Sequence, residues 1–244
     1  GWDDLRGRVA SPDRRLYGFF HPSMRADPVI FVEVALHHDI PAAIGPILDQ
    51  GRRPQGPAKM TTAVFYSISN CQNGLRGVSF GNFLIKQVVE VLRQEFPALR
   101  TFVTLSPLPG LRRWVASELA KPGFGGLTEN LVAAIDDTAV EGALGLTPPR
   151  TEILLELAAR YLVIARTETG QIVDPVARFH LGNGARLERI NADADASPRG
   201  QEQSWGAMVN YLYDLASIER NHEAFASTGE LIAAPAINKL ARKP

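Results

Sequence analysis

Thr61-Thr62-Ala63-Val64-Phe65-Tyr66-Ser67-Ile68-Ser69 is a short apolar run rich in β-branched and aromatic residues, and a glycine turn follows it at 70–77. The run reads as a buried strand. Beyond the turn, Phe80, Leu84, Val88 and Leu92 fall four apart, which predicts an amphipathic helix over 80–96. Pro97 ends it, because proline lacks an amide donor and clashes with the preceding turn. Residues 100–106 (RTFVTLS) read as a further strand that Pro107 and Pro109 stop. Strand, turn, helix and strand make a β–α–β unit with parallel strands and a right-handed crossover.

Working outward, residues 28–37 (PVIFVEVALH) read as a strand and 40–50 as a short helix. Residues 51–60 are a basic Gly/Pro loop. Residues 111–120 begin helical, and 121–149, Gly/Pro-rich at both ends, read as an excursion from the core. A strong amphipathic helix is predicted over 151–166, then a short helix or turn and a strand within 174–190. A polar loop at 191–203 and two helical patterns, around 204–220 and 228–241, close the chain.

The turn Arg76-Gly77-Val78-Ser79-Phe80-Gly81-Asn82 stands at the start of the central helix. Free backbone N–H groups and the helix dipole make such a place an anion site, and glycines let a phosphate approach closely. The spacing resembles the pyrophosphate loop of GNAT acyltransferases. Arg76 and Gly81 take its first and last positions, and Ser79 replaces an inner glycine. An ordinary turn with convenient glycines remains the alternative. There is no Gly-x4-Gly-Lys-Ser/Thr motif, and Leu187 occupies the third glycine position of a dinucleotide fingerprint after Gly182 and Gly184.

Composition excludes several classes. Lys+Arg and Asp+Glu both number 26, so the basic excess expected of a duplex-binding protein is missing. No apolar run approaches the ~20 residues of a membrane helix. Cys71 is the lone cysteine and forms no internal disulfide, which suits a reducing compartment such as the cytoplasm. The polar first residues do not read as a signal peptide, and without an initiator Met the chain reads as a fragment. With 244 residues and 45% hydrophobic content it can bury a sizeable core.

Two later residues carry chemistry. Ser106 stands at the carboxyl end of a predicted strand, where open α/β sheets gather ligands. Taken alone it reads first as a turn serine before proline. His180, between Phe179 and Leu181 and ahead of a glycine turn, can hold or deliver a proton near neutral pH. Taken alone it reads first as a partly buried histidine with one hydrogen bond. His37 and His38 read as a solvated strand end, His222 as part of a polar helix and His21 as a turn residue. No His-Glu-x-x-His or cysteine cluster is present, so no metal is expected.

Together these segments resemble the malonyl-CoA decarboxylase family. The resemblance lies in Trp2-Asp3-Asp4-Leu5, Phe19-Phe20-His21-Pro22-Ser23-Met24, Phe65-Tyr66-Ser67-Ile68-Ser69, the turn 74–81, Glu95-Phe96-Pro97, Leu105-Ser106-Pro107-Leu108-Pro109-Gly110, residues 175–185 and Asn210-Tyr211-Leu212-Tyr213. It spans most of the chain and is weakest over 121–170. It implies one catalytic domain over 1–244 of class α/β (α+β), with a GNAT-like acyl-CoA-binding fold. That fold has a mixed central sheet flanked by helices, here with extra C-terminal helices. The family's catalytic serine and histidine fall on Ser106 and His180, an activity-linked tyrosine on Tyr213, and its malonyl-CoA loop on Arg76, Gly77, Val78, Ser79, Phe80, Gly81 and Asn82. Ser79 departs from an acidic residue common in that loop. The family's helical, oligomer-forming domain precedes the catalytic one, and this chain begins where the catalytic part is expected to begin.

The resemblance implies conversion of malonyl-CoA to acetyl-CoA and CO2, with His180 protonating the carbanion and Ser106 orienting the malonyl group. The thioester is itself the electron sink, so no cofactor is needed beyond the CoA carried by the substrate. Malonyl-CoA is the expected partner, with no nucleic acid or membrane, and homo-oligomers are expected mainly through the helical domain. Two other functions use the same loop: a CoA-dependent GNAT acyltransferase and a non-catalytic acyl-CoA-binding module.

Overall fold

The computed structural model describes residues 11–21, 24–49, 51–54, 56, 59–70, 81–136 and 151–243. The loop residues Arg76, Gly77, Val78, Ser79 and Phe80, with Cys71 and the segment 2–5, lie outside the described residues, as do the side chains of His21 and Asn82; Gly81 is described only as the first residue of a helix.

Seven strands among the described residues form one mixed sheet. They are β1 (Arg14–His21), β2 (Met24–His37), β3 (Thr62–Asn70), β4 (Thr101–Thr104), β5 (Ser106–Pro107), β6 (Arg186–Asn191) and β7 (Met208–Leu212). β1, β2 and β3 pair antiparallel in sequence order. β3 and β4 pair parallel from Thr62↔Thr101 to Phe65↔Thr104, as the β–α–β reading requires. β7 then pairs antiparallel with β4 and β5 on one side and with β6 on the other.

The connecting helix, α2 (Gly81–Glu95), buries Leu84, Ile85, Val88, Val89 and Leu92 and exposes Val91. Each of these aliphatic side chains contributes about 1.5–3 kcal/mol on leaving water. They meet Ala63 and Phe65 of β3 on one face of the sheet, while Val64, Val103 and Met208 join Ile44 and Ile47 on the other. Covered on both faces, the middle of β3 carries an unbroken apolar run rather than an alternating one.

Further helices are α1 (Gly45–Leu48), α3 (Leu111–Leu119), α4 (Glu129–Asp136), α5 (Thr151–Val163), α6 (Pro175–Gly182), α7 (Pro198–Ser204), α8 (Ile218–Thr228) and α9 (Pro235–Ala241). Three expectations change. The helix expected over 40–50 is one turn. The polar loop expected at 191–203 contains α7, which Ser197 caps by accepting from Gly200 N at 3.1 Å, with Pro198 opening the helix. The helical pattern expected around 204–220 begins with β7. That strand is buried on both faces from Met208 to Tyr211, so it has no period-2 signature. The cost of burying Asn210 mid-strand is offset by its bonds to Thr104 O, Pro41 O and Asn191 Nδ2.

Candidate active site

Parallel pairing stops at Phe65↔Thr104, but β3 runs on to Asn70 while the partner chain turns to pair with β7 as β5. The two parallel strands therefore part at their carboxyl ends, and Ser106 opens β5 two residues past the last parallel pair. Its hydroxyl is 5% exposed at residue level and donates to Thr104 Oγ1 at 2.9 Å. Thr104 Oγ1 also accepts from Tyr211 N at 3.2 Å, so β7 fixes the acceptor.

His180 comes to the same place from α6. That helix starts at Asp174, whose side chain accepts from Ala177 N at 2.7 Å, with Pro175 in the first turn. Five residues into α6, His180 points at the sheet. Its Nε2 lies 3.1 Å from Ser106 Oγ and its Nδ1 lies 2.8 Å from the Tyr213 hydroxyl. The ring stacks on Tyr211 at 4.6 Å between centroids, and Tyr213 meets Phe65 edge-on at 6.4 Å.

The network assigns the protons. With the Ser106 hydrogen committed to Thr104, the serine oxygen accepts from Nε2–H, and Nδ1 accepts the Tyr213 hydroxyl. In the neutral ring the proton then sits on Nε2, towards Ser106. Burial favours that neutral ring: it disfavours imidazolium and pushes the His180 pKa down to about 3. Burial likewise pushes the hydroxyls of Tyr211 and Tyr213 well above the usual phenol range.

The structure thus brings together Ser106, His180 and Tyr213. Among the described side chains, the other histidines, His37, His38 and His222, stand apart. His37 bonds its own loop through Asp39 O, His38 is exposed, and His222 donates from Nδ1 to Gly182 O. Sequence reasoning missed Thr104 and Tyr211. Each is one strand period from a residue it singled out, Ser106 and Tyr213, and that spacing was the available signal. Among the described residues no group of three His, Cys, Asp or Glu side chains is placed to hold a metal, and no helix is long and apolar enough to cross a membrane.

The comparisons agree on one family. The model of the malonyl-CoA decarboxylase C-terminal domain matches residues 1–244. Mitochondrial malonyl-CoA decarboxylase of Anser anser anser is 36% identical over 255 residues, covering 95% of this chain and 50% of that protein. The crystal structure of malonyl-CoA decarboxylase from Rhodopseudomonas palustris is 52% identical with a TM-score of 0.90, covering 98% of this chain and 56% of that one. The GNAT-like decarboxylase GphF, solved with isobutyryl-CoA, is 19% identical with a TM-score of 0.50, covering 88% of this chain and 83% of that one. At that identity the likeness is one of fold, and it makes the mixed sheet and its helices GNAT-like. The chain spans about half the length of the curated relatives it matches. With the match running from the first residue to the last, the chain belongs to the malonyl-CoA decarboxylase family, as its C-terminal domain.

Proposed function

We propose that the chain is a carboxy-lyase that converts malonyl-CoA to acetyl-CoA and CO2. The observation that carries the reading is the buried chain Tyr213–His180–Ser106, set where the parallel strands part. Family membership supplies the substrate class. The amides of Arg76 to Asn82, which lead in sequence into α2, hold the CoA pyrophosphate in this reading.

Decarboxylation breaks the bond between the α-carbon and the malonyl carboxylate. The electron pair passes to an enolate shared with the thioester oxygen, so neither a resident cofactor nor a metal is required. Ser106 turns its hydroxyl from Thr104 to the malonyl group and holds the breaking bond out of the enolate plane. His180 then delivers a proton from Nε2 to the α-carbon. Each turnover consumes one proton, and the substrate recruits it. Placed against a neutral buried imidazole, the malonyl carboxylate supplies the counter-charge that favours imidazolium. Tyr213 accommodates both states, since its hydroxyl donates to Nδ1 in one and accepts from Nδ1–H in the other. The location proposed with this activity is a reducing one, the cytoplasm.

The test uses malonyl-CoA with no acceptor amine. CO2 release separates decarboxylation from acyl transfer and from simple binding. His180→Ala and Ser106→Ala each lower kcat by about 10²–10⁴-fold, while acetyl-CoA still binds. Near-normal turnover in both variants ends the assignment.

A further inference from the structure

The Ser106–His180 bond joins two elements that share no backbone pairing: the end of the β4–β5 strand and the eight-residue helix α6. Something must fix the tilt of so short a helix. His180 lies six residues past the cap, roughly 9 Å along the axis. A small rocking at Asp174 therefore moves the imidazole off Ser106. A displacement of about 1 Å at a reacting pair can cost a hundredfold in rate.

Asp174 is fully buried and does two things there. One carboxylate oxygen accepts from Ala177 N at 2.7 Å, capping α6, and the other accepts the Tyr161 hydroxyl at 3.0 Å. Tyr161 comes from α5, is itself 1% exposed, and packs on Trp114 of α3 with 5.5 Å between ring centroids. Its hydroxyl fills the space beside Gly110 that a side chain would need, since an added Cβ would lie 2.4 Å from the oxygen. Gly110 ends the Pro109–Gly110 turn that follows β5, four residues past Ser106, and caps α3. One phenol oxygen thus lies between the turn that follows the serine's strand and the cap of the helix that carries the histidine. The rings of Trp114 and Tyr161 are set in the protein core, so the oxygen has little freedom to move.

We propose that Tyr161 and Asp174 are positioning residues, a buried strut that sets the distance between Ser106 and His180. Neither touches the substrate in this reading, which rests on Ser106 and His180 as the reacting pair. The strut works through two hydrogen bonds and a close glycine contact rather than through charge. A carboxamide at position 174 keeps it, since its oxygen still caps Ala177 N and its amide donates to the Tyr161 oxygen.

The experiment measures malonyl-CoA turnover and the 15N chemical shifts of the His180 ring in the full chain, below the melting temperature of each variant. Tyr161→Phe and Gly110→Ala should each lower kcat about tenfold with KM within about twofold, and should shift the His180 resonances. Asp174→Asn should keep at least about a third of kcat, whereas Asp174→Ala should fall with Tyr161→Phe. A lowered melting temperature with unchanged kcat and unchanged resonances in Tyr161→Phe overturns the strut. So does an Asp174→Asn variant as impaired as Asp174→Ala, which would assign the role to charge. Absence of turnover in the unmodified chain would overturn the functional reading instead, and the ring resonances would still decide whether the strut sets the imidazole. Should Tyr161→Phe not fold, Gly110→Ala and Asp174→Asn carry the same comparison.

Discussion

His180 Nε2 lies 3.1 Å from the Ser106 hydroxyl across a sequence separation of 74 residues, with both side chains buried. The contact is polar and solvent-poor, and on the far side of the ring Tyr213 takes up the other nitrogen. Its consequences can be measured one group at a time.

Tyr213→Phe keeps the ring against Phe65 and deletes the hydroxyl that faces Nδ1. A buried nitrogen that loses its partner costs about 1–3 kcal/mol, so kcat should drop between roughly fivefold and a hundredfold. Steady-state kinetics at saturating malonyl-CoA reads this directly. A variant as fast as the parent would leave Tyr213 with a packing role alone.

Acid stability should report the buried imidazole. Its pKa falls from 6.5 to about 3 on folding. Below about pH 6.5 the unfolded chain takes up a proton that the folded chain refuses, so the unfolded state gains as pH falls towards 3. Stability therefore declines through that window by up to about 1.4 kcal/mol per pH unit from this residue. Asp174, whose pKa burial raises, and Asp13 and Asp214, whose pKa values are lowered, add pH dependence of their own. The comparison is thus between the parent and His180→Gln in urea titrations at several pH values. The parent should show the steeper loss between pH 6 and 4, and parallel curves would contradict it.

Proton uptake should accompany binding of a carboxylate-bearing ester. A malonyl-CoA analogue that cannot lose CO2, titrated calorimetrically at pH 7 in two buffers of different ionisation heat, should take up close to one proton. Acetyl-CoA, which lacks the carboxylate, should take up almost none. Equal uptake for the two ligands would detach the carboxylate from the imidazole.

Gly184→Ala should be costly, and Gly45→Ala should not. Gly184 has φ +81°, and a Cβ there would sit 2.1 Å from Ile218 O, whereas nothing lies within 4 Å of one at Gly45. The backbone and steric terms together come to about 2–4 kcal/mol, a melting-temperature drop of roughly 5–15 °C for a chain of this size. Calorimetry on the two variants side by side provides the check.

The sequence made the strands and helix of the β–α–β unit legible because each carried its own signal: an apolar run, a four-residue stripe and Pro97. Helix α5 was legible in the same way, while the segment that forms α6 read as a short helix or turn. β7 was not, because a strand covered on both faces shows no alternation, and Asn210 at its centre finds its partners only in the folded sheet. For the same reason chemistry alone singled out Ser106 and His180, while Tyr213, just past β7, came only from the family resemblance. Asp174 was within reach, as an acidic residue directly before Pro175 is a helix-start signature. Its link to Tyr161 was not, since that bond depends on how α5 packs beside α6.

β7 supplies Tyr211 and leads into Tyr213, and its amide at Tyr211 bonds Thr104, 107 residues earlier. While the chain is being synthesised, strands β1 to β4 can emerge and pair long before this segment exists. The Ser106–His180–Tyr213 contacts therefore cannot assemble until residue 213 has left the ribosome. The apolar edge that β7 will cover is exposed in the interim, and this makes the half-made sheet the stage most in need of a chaperone.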